Sequence, residues 1–324
     1  MTATLLASGA FSDAGLTALL SGALLVCVPL LFAALGELVS ERSGVLNIGL
    51  EGMMLMGAYA GFLASYHGGS EWYGFGAGML AGAGVSLFMV VFCVRWGLDQ
   101  ILVGIAITLT CEGATALIFE SQFAESRPTL GAVDRVSIPG LADLPVVGGR
   151  GESNGSIFTQ PLVVYLGLAL VLFVAWMLRR THAGLNVRAA GDVPGALDAA
   201  GVSVFATRSA SVLFAGAMAG LGGAYISTVV AGVFQDTIIG GMGFIAIVFA
   251  MLARGRPLWI LIGTFLFGLC LSFADWAQTY RIITINTDYI LMLPFIVILL
   301  VLVIFGRRAY LPAALALPYE RGSR

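Results

Sequence analysis

Residues 16–66 read LTALLSGALLVCVPLLFAALGELVSERSGVLNIGLEGMMLMGAYAGFLASY. Two apolar runs, 16–38 and 45–66, are parted only by the polar patch GELVSERSG, and each matches the ~20 residues a helix needs to cross a bilayer. Outward from them the pattern recurs at 73–94, 101–119, 161–178, 209–233, 238–252, 258–274 and 289–305. About nine spans are expected, within a range of eight to ten. The seventh and eighth stretches are short, so re-entrant or broken helices are expected there. Of 324 residues 59% are hydrophobic and 10% charged, where soluble chains carry about 25% charged residues. The fold class expected is an all-α polytopic membrane protein, with 1–324 forming a single transmembrane domain.

The sixteen basic residues are all arginine, with no lysine in the chain. A Walker A phosphate loop and a Schiff-base site both need a lysine, so both are excluded. Net charge −2 gives no basic face for nucleic acid. Cys27, Cys93, Cys111 and Cys270 each lie in an apolar stretch without a CxxC pair, which argues against a disulfide framework or zinc site. His67 and His182 fall in loop-like sequence. Residues 1–15 lack the basic n-region of a cleavable signal peptide, so the first apolar segment is expected to remain as a transmembrane helix.

Arginine placement orients the spans. With the C-terminus in the cytoplasm, twelve arginines lie inside (Arg42, Arg95, Arg179, Arg180, Arg188, Arg208, Arg254, Arg256, Arg307, Arg308, Arg321, Arg324) and four outside (Arg127, Arg135, Arg150, Arg281). Nine spans then put the N-terminus outside. Two long loops result, an external one at about 120–160 and a cytoplasmic one at about 179–208. The external loop, with Pro128, Gly131, Pro139, Gly140, Pro145 and GGRGESNGS, is turn-rich and is either a connector or a face for an extracytoplasmic partner. Gly74, Gly78 and Gly82, and likewise Gly216, Gly220 and Ala224, recur every fourth residue, the spacing of close helix packing.

Ionisable groups at membrane depth cost about 2.5–3.5 kcal/mol on insertion scales, so each calls for a reason. In SERSGVLNIGLEGMM, Asn47 and Glu51 are four apart and are expected on one helix face. They line a polar pathway or gate, or else Glu51 pairs with Arg42 or another helix's donor and orients the bundle. In the fourth span Thr108, Glu112 and Thr115 share a face; threonines usually bond their own backbone, which leaves Glu112 as the signal. Asp275, Gln278, Asn286 and Asp288 flank the outer ends of the last two spans, either merely solvated or serving substrate binding or docking.

The loop RRTHAGLNVRAAGDVPGALDAAGVSVFATRSA, 179–210, places Asp192 before Pro194 and Gly201 after an apolar run, the signature of a short helix. Flanked by Arg188 and Arg208, this helix would either rest on the membrane or present a knob to a soluble partner.

Several blocks resemble the permease subunits of bacterial ABC importers of the ribose, branched-chain amino acid and nucleoside type. They are GELVSERSGVLNIGLEGMMLMGAYAGF (36–62), DQILVGIAITL (99–109), GLNVRAAGDVPGALDAAGVSV (184–204), SASVLFAGAMAGLGGAY (209–225) and GGMGFIAIVFAMLARGRPLWILIGTFLFG (240–268). The first block is most similar to the nucleoside and simple-sugar branch. The chain departs from that branch at Thr108, where an asparagine is expected, in having Glu112, and at Val193 and Gly195.

The resemblance implies a non-catalytic subunit of the bacterial cytoplasmic (inner) membrane that passes a small neutral solute, a nucleoside or simple sugar. It implies that the loop with Arg188, Gly191, Asp192, Pro194, Ala200 and Gly201 forms the coupling helix docked on an ATPase, which itself binds ATP and Mg. Its further implied partners are a second, related permease and an extracytoplasmic solute-binding protein or lipoprotein, with membrane lipid around the spans and no nucleic acid. The passage is then expected along Asn47, Glu51, Thr108 and Glu112. The competing class is an ion-coupled secondary transporter using Glu51 or Glu112.

Overall fold

A computed structural model of the chain describes residues 13–124, 127–137, 157–280, 290, 292–306 and 311–320. Each of the nine expected stretches holds a helix. In chain order these are α1 (Asp13–Arg42), α2 (Leu50–Gly68), α3 (Glu71–Met89), α4 (Gln100–Phe123) and α5 (Leu162–Arg180). Two short helices follow, α6 (His182–Asp192) and α7 (Pro194–Ala199), then α8 (Val204–Tyr225), α9 (Met242–Leu252), α10 (Pro257–Thr279) and α11 (Leu293–Phe305). α3 and α8 continue as π-helical turns over Val90–Arg95 and Ile226–Val230. Among the described residues six helices are long and apolar enough to cross a membrane (α1, α3, α4, α5, α8 and α10), while Met242–Leu252 and Leu293–Ile304 are shorter and apolar.

Three boundaries differ from expectation. GELVSERSG is not a separator, because α1 runs on through Glu37 and Glu41 to Arg42. Asn47 is not helical: α2 starts only at Leu50, so Asn47 and Glu51 do not share a helix face. The eighth stretch is not short either, since α10 has 23 residues. The seventh is, and at 1.5 Å per residue the 11 residues of α9 rise only about 16 Å, too little to cross alone. Gly240 and Gly241, both at positive φ, break the chain before it. In the long 120–160 loop, β1 (Arg135–Ser137) pairs antiparallel with β2 (Thr159–Pro161), a small exception to the all-α expectation. Pro139, Gly140, Pro145, GGRGESNGS, Asn286, Asp288 and Arg150, Arg281, Arg307, Arg308, Arg321 and Arg324 lie outside the described residues.

The chain forms two compact units. The smaller contains the first half of α1, the strand pair, the start of α5, most of α10, and α11. There Ser272 Oγ donates to Leu19 O at 2.8 Å and Gln160 Nε2 to Ser21 Oγ at 2.7 Å. Gly268 lets α10 lie against Ala23 and Cys27 of α1, where a Cβ would come within 2.5 Å of Ala23 O.

The larger unit holds α2, α3, α4, α6 to α9 and the second half of α1. Its centre is a seam of α2, α3 and α8 built on glycine. A Cβ on Gly57 would collide with Gly220, one on Gly78 would come within 2.8 Å of Gly220 O, and one on Gly82 would collide with Gly216 O. The fourfold glycine spacing thus serves main-chain-to-main-chain contact, the way helices associate where burial from water offers no drive. α1 joins through Gly36, whose Cβ would fall 2.9 Å from Ala215 Cα.

Candidate functional site

The linker from α1 to α2 is buried, so its backbone groups need partners inside the protein. α1 ends where Gly44 N donates to Glu41 O (2.9 Å), with Gly44 at φ +94°. Ser40 Oγ then donates to Val45 O (2.8 Å), Leu46 N to Gln100 Oε1 (2.8 Å), and Asn47 N to Glu37 Oε1 (3.0 Å). Glu37 and Gln100 thus satisfy amides that the turn leaves open.

Glu51, in the first turn of α2, is 6% exposed. Its Oε1 accepts from Gly241 N at 2.8 Å and its Oε2 from Gly243 N at 2.6 Å. α9 has no side-chain cap of its own; the carboxyl group from α2 serves as one, meeting the open amides and positive end of the helix. Gly243 is required by this contact, because a Cβ there would lie 2.5 Å from Glu51 Cα and N. Gly52 likewise brings α2 against α4, with Thr108 Cα 2.8 Å from its would-be Cβ.

Of the four expected pathway residues, Asn47, Glu51 and Thr108 therefore meet in one buried junction, while Glu112 is exposed on α4 within electrostatic reach of Glu51. Asn47 Nδ2 contacts Met53 Sδ at 3.3 Å. Asn47 Oδ1, Thr108 Oγ1, Glu37 Oε2 and Glu41 Oε2 are buried without a hydrogen-bond partner, each at a cost of about 1–3 kcal/mol. The arrangement can accept hydrogen bonds. Among the described residues no group of three His, Cys, Asp or Glu side chains could hold a metal ion. Thr115 Oγ1 donates to Cys111 O, as expected.

Arg42 does not reach Glu51. It pairs with Asp192 at 3.5 Å, in the 179–208 loop. The short helix expected there is α7, with Pro194 in its first turn and Gly201 at φ +82° beyond its end. The sequence reading missed α6, which Thr181 starts by accepting from Gly184 N at 3.1 Å. Gly191 packs α6 directly on the main chain of Arg42 and Gly44, leaving no room for a Cβ. Val193, Gly195, Ala200 and Gly201 face outward; Ala190 and Leu197 are buried beneath with Val204. Arg188 Nε donates back to Gly184 O at 3.4 Å.

Sequence reasoning also missed Glu37, Glu41 and Gln100, and placed Arg208 as a flanking charge whereas it is 3% exposed. The i, i+4 carboxyls just before a glycine-bearing linker were the available signal for the first two. At the other end of α2, the rings of Phe62, Phe119, Phe123 and Phe234 cluster. Beside them is a cleft of about 190 Å³ lined by Ala116, Phe119, Glu120, Arg127, Gln235 and Asp236.

Residues 19–302 match the family described as branched-chain amino acid transport system / permease component. The chain belongs to this permease family. The permease is 33% identical over 320 residues to the guanosine ABC transporter permease protein NupQ of Bacillus subtilis (strain 168), covering 95% of this chain and 98% of that one. It is 29% identical to the nucleoside ABC transporter permease protein NupC of Lactococcus lactis subsp. cremoris, covering 90% and 93%. It is 26% identical to the glucose ABC transporter permease protein TsgB13 of Haloferax volcanii, covering 75% and 64%. No solved structure matches the permease. Membership of this family, with its apolar helices, makes the permease a multi-pass protein of the cytoplasmic membrane.

Proposed function

We propose that the permease is the non-catalytic membrane subunit of an ATP-driven importer of a nucleoside or simple sugar. The observation that carries this reading is the direct seating of the α6–α7 knob on the Arg42–Gly44 turn, which continues into the linker holding Asn47 and leads to Glu51. A soluble ATPase gripping the knob would thereby act on the polar junction. Energy from ATP biases the two access states only through contacts that differ between them, and this chain of contacts supplies a route. The arginine-rich loops, the knob among them, face the cytoplasm in this reading, with the N-terminus outside.

The solute class rests on chemistry and on the relatives. Guanosine, nucleoside and glucose appear in the names of the matched proteins, and the junction offers hydrogen-bond acceptors suited to hydroxyls or base amines. Glu112 sits near the middle of the 24-residue α4 yet is exposed on this chain. Lipid would not solvate it cheaply, which supports turning that face towards the passage or a second, related permease. The cleft beside the aromatic cluster suits the outer mouth, where a solute-binding protein would deliver. ATP and Mg belong to the ATPase.

The test is reconstitution in vesicles with the ATPase, sister permease and solute-binding protein. Uptake of labelled nucleoside or sugar that requires ATP and all four components is expected. Uptake by this chain alone under a proton or sodium gradient, without ATP, would refute the reading.

A further inference from the structure

Arg208, near the start of α8, carries a buried guanidinium that touches three separate segments. Its Nε donates to Ser43 O at 3.2 Å, its Nη1 to Leu317 O at 2.8 Å, and its Nη2 to Ala190 O at 3.2 Å and Ala314 O at 3.4 Å. Those carbonyls belong to the turn after α1, the underside of α6, and the 311–320 segment. Among the described residues no carboxyl group forms an ion pair with it. A buried charge costs several kcal/mol unless held by good hydrogen bonds, and here main-chain carbonyls hold it.

The 311–320 segment is tied to the same parts by bonds of its own. Ala314 N donates to Gly191 O at 2.9 Å and Ala316 N to Gly44 O at 3.1 Å. The Tyr319 ring meets Phe205 edge-on at 5.7 Å and packs on the cluster of Ala190, Leu197 and Val204. Ala316 adopts φ +59°, a left-handed conformation that costs a non-glycine residue roughly 1–2 kcal/mol. The strap therefore spans the knob and the turn, with Arg208 at the crossing point.

We propose that Arg208 and the 311–320 strap form the joint that makes the knob and the 43–47 turn move together, so that Arg208 is a positioning residue for coupling. A lysine in its place brings a point charge and cannot span carbonyls that a planar five-donor fork reaches. The inference rests on the importer reading given above.

The experiment compares the wild-type importer, reconstituted with its ATPase, sister permease and solute-binding protein, with three single variants. Arg208→Lys reduces the fork. Ala316→Pro cannot adopt positive φ and removes the N–H given to Gly44. Ala316→Gly keeps that bond and relieves the strained φ. Assembled complexes are isolated first, and solute uptake and ATP hydrolysis are then measured on the same vesicles. In Arg208→Lys and Ala316→Pro, uptake per ATP hydrolysed is expected to fall roughly tenfold, within the ~5- to 150-fold range of coupling between sites; Ala316→Gly is expected to match wild type. An unchanged uptake-to-hydrolysis ratio in the first two overturns the proposal, and so does failure of both to assemble, which would mark the strap as structural only. Absence of ATP-dependent uptake in the wild-type complex would instead overturn the importer reading.

Discussion

Replacing Glu51 by Gln isolates what its carboxyl group contributes. In the native arrangement one oxygen accepts from Gly241 N at 2.8 Å and the other from Gly243 N at 2.6 Å. Glutamine keeps the shape but has a single acceptor oxygen, so one of the two amides is left facing an NH2 group. A lost hydrogen bond of this kind, or a buried donor left open, is worth about 1–3 kcal/mol. At 1.4 kcal/mol per factor of ten, local opening at the start of α9 should become about 5- to 150-fold more frequent. Hydrogen–deuterium exchange of the purified permease, followed by mass spectrometry of peptides over 238–246, reads this directly. Peptides from α3 serve as the internal reference, because the cap does not touch that helix. Glu51→Ala, which removes both acceptors, should exchange faster still. Unchanged exchange in both variants would refute the idea that Glu51 caps α9.

Three further outcomes follow from the geometry. Gly220→Leu, forced between Gly78 and Gly82, should cost at least the ~1–3 kcal/mol of overpacking and lower the melting temperature of the solubilised permease, while Gly76→Ala, with nothing within 4 Å, should leave it unchanged or slightly raised. Asp192→Asn weakens the 3.5 Å pair with Arg42; because Asp192 is about a third exposed, stability should change by under ~1 kcal/mol, and a lowered uptake per ATP at normal complex yield would be the signature of its coupling role. The four native cysteines are buried and should resist a charged maleimide until the protein is denatured, so single cysteines can be introduced directly into the native background. Thr129→Cys should then label in intact cells and Asp198→Cys only after permeabilisation, with the opposite pattern reversing the orientation.

Helix positions were legible in the sequence because apolar run length reports on them directly, and helices fall on all nine runs. Helix ends were less so. Glu37 and Glu41 look like loop residues by polarity, yet α1 carries them inward because Glu37 satisfies the amide of Asn47 across the turn, a contact without sequence periodicity. The short helix α7 was readable from Pro194 and Gly201, whose backbone preferences are local. α6 was not, because its buried face is formed by small residues such as Gly191 and Ala190 that carry little hydrophobic signal. Of the site, Glu51 stood out by its cost at membrane depth, but its partners, two backbone amides nearly 200 residues away, leave no trace in side-chain chemistry. Arg208 was visible only as a charge, since the carbonyls that hold it exist only once the chain is folded.

The glycine seam of α2, α3 and α8 also constrains how such a protein can work. Helices whose main chains touch at Gly57, Gly78, Gly82, Gly216 and Gly220 cannot slip by one residue, a 1.5 Å step, without driving a side chain into a carbonyl. The three behave as one stave of a barrel, able to tilt but not to shear. Whatever opens and shuts the passage is expected to bend outside that lock, in the 231–241 approach to α9, because the 43–49 turn is itself pressed against Gly104 and Gly191. The Glu51 carboxyl group, which holds Gly241 N and Gly243 N, ties the end of that approach to α2, which makes that single side chain the hinge pin between the seam and α9.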